Sequence, residues 1–332
     1  MAEDVEYSKQ EVMQILTGFQ KSRILLTAIE LDLFNELGHK LLTASELSVE
    51  TRTDPDALAT LLNALVAIGF MDKEGERFSN TGVSRKYFLK TSDSYLGGAM
   101  HQVHLWGTWN RLTENVRKGQ GNVTRPEVND RPSEWLDAFI SAMDARGAAE
   151  AEMVKPLINF DGVKRILDLG GGSGIFAATF IRDDPSMSAV IYDLPNVLPL
   201  TRKYVDTHNM SDRVITWEGN YLTDDLGSGY DMVFLSAVIH SNSYEQNERI
   251  IQKCADALNP GGKVVVMDFI VDQDRTQPVK GALFAINMLV ATEGGTTYTA
   301  NEVKSWMQSA GLGGFETRQA DRGISIITGY LD

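Results

Sequence analysis

The stretch "VKRILDLGGGSGIFAATFIRDDP", residues 163–185, decides the fold. An apolar run reads as a buried strand, a glycine loop follows, and a helix-like segment leaves the loop. Gly170, Gly172 and Gly174 give G-x-G-x-G. Glycine lets a backbone turn sharply and approach a ligand without a Cβ in the way. A dinucleotide fingerprint needs one more glycine, and Ile175 stands in its place. A cofactor with a nucleoside but no phosphate fits better, which points to S-adenosyl-L-methionine. The next strand, in "SAVIYDLPNV", ends on Asp193 about 20 residues on, where an acid accepts hydrogen bonds from ribose hydroxyls.

Working outward, "RVITWEGNYL", "YDMVFLSAVIH" and "GKVVVMDFIV" read as the third, fourth and fifth strands, and "GFETRQA" with "GISIITGYL" as a final pair. Strands alternating with helices imply a parallel sheet with crossover helices. Open sheets of this kind bind ligands beyond the carboxyl ends of their strands. Gly170, Asp193, Asn220 with Tyr221, His240 and Asp268 fall at those ends. His240 is read as closing the fourth strand, aimed at a pocket to take a proton.

The chain has 332 residues, more than one core usually spans. Charged residues make up 23% and apolar residues 43%, the balance of a soluble globular protein. Net charge is −14, which opposes binding to a phosphate backbone. Five histidines and the single Cys254 form no cluster at ligand spacing, so no metal site is expected. One cysteine fits a reducing cytoplasm. No secretory signal and no membrane span are read, so a cytoplasmic protein without membrane partners is expected.

Residues 10–37 carry apolar side chains on more than one helical face, from Val12, Met13, Ile15, Leu16 and Phe19 to Leu33. Such width suggests burial on two sides, the second against another subunit. Thr43 and Glu46 form a capping box, Pro55 starts a helix that ends at Gly69, and "MDKEGERFSNT" reads as a hairpin turning at Gly75. Helix, helix and hairpin outline a winged helix. Its recognition helix, from Pro55 to Phe70, holds no Lys or Arg. Dimerisation is therefore preferred to nucleic-acid binding. Two aromatic-rich helical stretches follow, 95–119 and 132–160, with a polar linker between them. They carry Met100, His101, His104, Trp106, Trp109, Met143 and Met153, as core or as pocket lining.

Together these segments resemble the small-molecule O-methyltransferases of the plant caffeic acid and hydroxyindole type and their bacterial members. "FDGVKRILDLGGGSG", "YDLPNV" and "AVIHSNSYEQNERIIQKCADALNPGGKVVVMDF" carry the resemblance, which covers nearly the whole chain. It implies a Rossmann-like class I methyltransferase domain with a seven-stranded mixed sheet (161–332). Before it would come a winged-helix-like dimerisation domain (1–95) and a helical linker with acceptor-pocket helices (96–160). It also implies His240 as catalytic base, Asp268 as the acid that orients it, and Met143 and Met288 as clamps on the acceptor ring. Trp106 and Asn287 join the acceptor side; Asp168, Leu194 and Ser236 join the cofactor side. The chain departs from the family pattern at Ser241, Asn242 and Tyr244 after the base. It departs again at Thr297, where plant members carry a second glutamate, at Asn220 in place of an Asp, and at Ser236 in place of a common lysine. The expected activity is methyl transfer to a hydroxyl of an aromatic or polycyclic small molecule by a homodimer. The alternatives are C- or N-methylation of a pigment-like acceptor, and a ligand-sensing winged-helix regulator.

Overall fold

The computed structural model describes residues 6–119, 121 and 133–332. The linker of 120–131 therefore lies, apart from Gly121, outside the described residues. The chain divides into two compact units, Met1–His104 and Leu105–Asp332, where the sequence reading draws three segments.

In the first unit the helical stretch is three helices: α1 (Lys9–Thr17), α2 (Phe19–Glu30) and α3 (Leu33–Leu37). Gly18 and the left-handed Asp32 (φ 52°) interrupt it. Nothing in α1 is buried, and Val12, Met13, Ile15, Leu16 and Phe19 all stand exposed. Thr43 caps α4 (Ala44–Thr51) through the expected box with Glu46. Asp54 caps α5 (Pro55–Ala67), with the proline in its first turn. The hairpin β2 (Met71–Glu74) and β3 (Arg77–Asn80) turns at Gly75, and β1 (Leu42–Thr43) joins it in the order β1-β3-β2. Leu33, Phe34, Leu37, Leu47, Leu62, Leu65 and Phe78 form the core of this unit. Then come α6 (Gly82–Phe88) and α7 (Ala99–Trp109), whose residues from Leu105 onward belong to the second unit.

The second unit is built on a mixed sheet in the order β10-β11-β8-β7-β4-β5-β6, with the short β9 (Tyr298–Thr299) paired to β8 as an eighth strand. β4 (Arg165–Leu169), β5 (Ser188–Asp193), β6 (Val214–Glu218), β7 (Tyr230–Ser236) and β8 (Leu258–Val271) run parallel. β11 (Ile324–Leu331) is antiparallel to both β8 and β10 (Leu312–Gln319). The central strands are buried on both faces, which is why they read as unbroken apolar runs. One face packs against α12 (Tyr244–Asp256) and α14 (Ala300–Ser309). The other packs against α9 (Ser133–Val154) and α10 (Ile175–Ile181). Helices α8 (Leu112–Lys118), α11 (Leu198–Thr207) and α13 (Val279–Ala291) complete the unit. Among the described residues no helix is long and apolar enough to cross a membrane, and no group of three His, Cys, Asp or Glu is placed to hold a metal.

Candidate active site

The glycine loop leaves β4 with Gly170, Gly172 and Gly174 all at positive φ (68°, 57° and 79°). The three have different jobs. A Cβ on Gly174 would lie 2.3 Å from Ile191 Cδ1, so that glycine lets helix α10 pack on β5. A Cβ on Gly172 would meet only Ile140 Cδ1, at 3.8 Å, so the loop's open side is there. The Asp193 carboxylate ties the loop to β5: it accepts the N–H of Gly172 at 2.8 Å and of Leu194 at 2.7 Å. Burial pushes its pKa up to about 6, against the pull of those two N–H groups. Asp168 is 1% exposed, and both its oxygens are buried without a well-formed hydrogen bond. Burial raises it to about 7, the Ala177 N–H opposes this, and the neighbouring Asp193 adds to it.

Leu194 packs with Leu136, Ile140 and Val197, bringing α9 over this edge. Asn220 spends its side-chain oxygen on the N–H of Leu222 at 3.0 Å, an Asx turn that sets Tyr221 beside Asn242 (3.5 Å between Tyr221 Oη and Asn242 Oδ1). Ser236 ends β7, its hydroxyl 4.0 Å from the Met267 sulfur.

His240 does not close the strand. β7 stops at Ser236, Ala237 takes a left-handed conformation (φ 56°), and His240 sits on the single 3₁₀ turn Ile239–Ser241. The turn re-aims the chain, which a straight strand end cannot do. The imidazole is buried, with Nδ1 2.7 Å from Asp268 Oδ1. The same carboxylate accepts the Phe269 N–H at 2.7 Å and the His240 N–H at 3.3 Å. A carboxylate only accepts, so Nδ1 donates in this contact, and in a neutral imidazole Nε2 is then the acceptor.

The turn is held from several directions. Asn242 donates to the Val238 carbonyl and Asn247 to the Ile239 carbonyl, both at 2.8 Å. The Tyr298 hydroxyl donates to the Asn242 carbonyl at 2.6 Å. Burial raises the Tyr298 phenol to about 12, so it stays a donor. A Cβ on Gly295 would stand 2.2 Å from the His240 carbonyl oxygen. That close approach explains the glycine in the loop before β9. Thr297 is buried in that loop and brings no acid.

On α13, Met288 is buried and Asn287 accepts the Trp109 indole N–H at 3.0 Å. Trp109 on α7 is thus hydrogen-bonded to α13, and Trp106 is half-buried. Met143 is half-buried on α9. The sequence reading missed Phe284, whose ring stands edge-on to His240 (centroids 4.8 Å apart, 85°). The available signal was its place one helical turn before Met288, on the same face.

A family model for an O-methyltransferase domain matches residues 109–313, and one for an O-methyltransferase dimerisation domain matches residues 13–90. The chain belongs to the O-methyltransferase family. It is 33% identical over 308 residues to the 3-hydroxy-5-methyl-1-naphthoate 3-O-methyltransferase of Streptomyces sahachiroi, covering 90% of this chain and 87% of that one. The tetracenomycin polyketide synthesis 8-O-methyl transferase of Streptomyces glaucescens is 30% identical, with 91% of each chain covered. An O-methyltransferase family protein from Burkholderia thailandensis superposes with a TM-score of 0.87 at 26% identity, covering 99% of each chain. This O-methyltransferase therefore has the class I methyltransferase fold behind a helical dimerisation domain, and its cofactor is S-adenosyl-L-methionine. The loop fits that cofactor: the open face at Gly172 and the carboxylate of Asp193 suit a nucleoside, and the chain lacks the extra glycine a pyrophosphate needs. An enzyme of this family has no need of the regulator reading.

Proposed function

We propose that this O-methyltransferase methylates a hydroxyl on an aromatic, fused-ring natural product, with His240 as the general base. The observation that carries this reading is the 2.7 Å contact between His240 Nδ1 and Asp268. It leaves Nε2 as a buried proton acceptor beside the ring of Phe284. A phenol with a pKa near ~10 is mostly protonated at neutral pH, and a neutral imidazole helps it present an oxygen nucleophile. Two relatives named for aromatic acceptors, a naphthoate and a tetracenomycin polyketide, support the acceptor class.

When bound, S-adenosylmethionine supplies an electrophilic methyl group. The chain's own residues do the rest. Gly170, Gly172 and the Asp193 carboxylate hold the nucleoside, with Asp168, Leu194, Asn220, Tyr221 and Ser236 around it. Phe284, Met288 and Met143 hold the acceptor ring, and thioether–aromatic contacts add ~0.3–1.5 kcal/mol each. Asn287, fixed by Trp109, lines the same helix face. Asp268 fixes the imidazole tautomer. Much of the rate would come from holding the reacting atoms in line.

The exposed apolar face of α1, inside the matched dimerisation segment from residue 13 onward, supports a homodimer. Light scattering that finds a monomer at micromolar concentration removes that part. The test of the reaction is a screen of fused-ring phenols with isotope-labelled cofactor, read by mass and NMR. A methyl ether is expected; a methyl found on carbon or nitrogen replaces this reading with the pigment-type alternative.

A further inference from the structure

We infer that Lys253, on α12, is a positioning residue of the cofactor site: its ammonium group holds the main chain that presents Tyr221 to the nucleoside. The inference rests on the place given to Tyr221 above and adds what aims it. Residues 219–225 leave β6 at the cofactor edge and form neither helix nor strand. Bonds within and beneath the segment shape it. The Gly219 N–H donates to the Asp193 carbonyl at 3.0 Å, and the Asn220 N–H to the Asp224 carboxylate at 2.8 Å. The Asn220 carbonyl accepts the N–H groups of Thr223 and Asp224. The carbonyls of Tyr221 and Asp224 are answered from outside the segment: Lys253 Nζ donates to both, to the Tyr221 oxygen at 2.8 Å.

Holding that carbonyl matters because of where the ring goes. A Cβ on Gly170 would lie 3.8 Å from Tyr221 Cε1 and 3.1 Å from Val238 Cγ2. The ring therefore stands where the glycine loop meets the residue that opens the base turn. A lysine suits the task. Its ammonium has three donors on a flexible stem, and a charged donor makes bonds about twice as strong as a neutral one. Burial lowers the Lys253 pKa, so the charge is kept there at a desolvation cost. The same helix serves the base turn near its start, where Asn247 donates to the Ile239 carbonyl at 2.8 Å. α12 thus grips the nucleoside segment through its last turn and the base turn through its first. A lysine in the last turn also complements the helix dipole, which is a matter of stability alone. The experiment has to part the two roles.

The test is a double-mutant cycle on the full-length protein, read as the dissociation constant of S-adenosylhomocysteine by calorimetry. Lys253→Met should weaken binding about tenfold or more, the scale of hydrogen bonds from a charged group. Lys253→Arg keeps a charged donor and should stay within about threefold of wild type. Tyr221→Ala should also weaken binding. With the ring gone there is nothing left to aim, so adding Lys253→Met to Tyr221→Ala should cost less than about threefold more. A lysine that serves stability alone would leave the dissociation constant unchanged, or add its full effect in both backgrounds, and either result overturns the inference. So does a Lys253→Arg protein that binds no better than Lys253→Met. Tyr221→Ala that binds as wild type refutes the place of Tyr221 at the nucleoside, and this inference with it. Weak binding by Tyr221→Ala beside normal binding by Lys253→Met refutes the lysine alone. If Lys253→Met yields no soluble protein, Lys253→Gln replaces it, with an expected loss of at least about threefold; a smaller loss overturns the inference.

Discussion

The cofactor edge and the base turn sit at neighbouring strand ends of one sheet, yet they are made differently. The cofactor edge is nearly continuous in sequence: β4, the glycine loop, α10 and β5 run from Arg165 to Asp193, and Asp193 ties back to Gly172 within that span. The base turn borrows from four places. Its support comes from Asn242 and Asn247 on its own side, Asp268 on β8, Phe284 on α13, and Gly295 and Tyr298 around β9. A locally encoded site tolerates change elsewhere in the chain, whereas an assembled one inherits every shift of its neighbours.

The hardest test of this separation removes the proposed base. His240→Ala should lower kcat by ~10²–10⁴-fold. Affinity for S-adenosylhomocysteine, measured by calorimetry, should stay within about threefold, since no cofactor-edge bond uses the imidazole. Near wild-type turnover across pH 6–9 would show that proximity alone drives the reaction.

Gly295→Ala probes the assembly itself. The new Cβ must push the His240 carbonyl away, and a misplacement on the order of 1 Å at a reacting group costs up to ~10²-fold. We expect kcat to fall toward that scale and the pH–rate profile to change, with cofactor affinity kept. An unchanged profile and rate would mean that the loop yields and the turn does not.

The cofactor edge should answer to pH instead. With burial holding Asp193 near about 6, the unliganded protein keeps that proton below pH 6. On the proposal that Asp193 accepts ribose hydroxyls, the ionised form is the one that binds, so binding must expel the proton. Affinity for S-adenosylhomocysteine should be fully present above pH 7 and fall, by up to about tenfold per unit, as pH drops through 6. Asp193→Asn should bind more weakly and lose most of this dependence. A wild-type affinity that is flat from pH 5 to 8 would break the assignment.

Tyr298→Phe is the mildest change. It removes one donor from a buried carbonyl, at a cost of about 1–3 kcal/mol in stability by denaturant titration. Turnover should fall less than tenfold. A larger loss of rate than of stability would make the phenol part of the chemistry.

The contrast also explains what could be read in advance. The glycine loop, the strand that ends on Asp193 and the succession of strands along the chain were legible because they rest on local backbone geometry and on two-sided burial of apolar runs. His240 was placed on the wrong scaffold: Ala237 turns left-handed with no glycine to announce it. The role of Gly174 was misjudged in kind, since its missing side chain makes room for Ile191 rather than for a ligand. Phe284, Gly295 and Tyr298 were not singled out for the base, because nothing in their own segments reports a contact with residues 240–242. At the front of the chain, the apolar width of residues 10–37 was visible, but its division at Gly18 and Asp32 was not.

The left-handed Ala237 has one more consequence. Along a strand, facing alternates strictly, so sliding the chain by one position sends every side chain to the opposite side. Since the strand ends before residue 238, His240 is exempt from that parity. Its bearing can be retuned by mutating the turn while the sheet keeps its register. Families that must re-aim one reactive group at many differently shaped molecules gain a pivot in this way: the foundation stays fixed and only the last few residues swing.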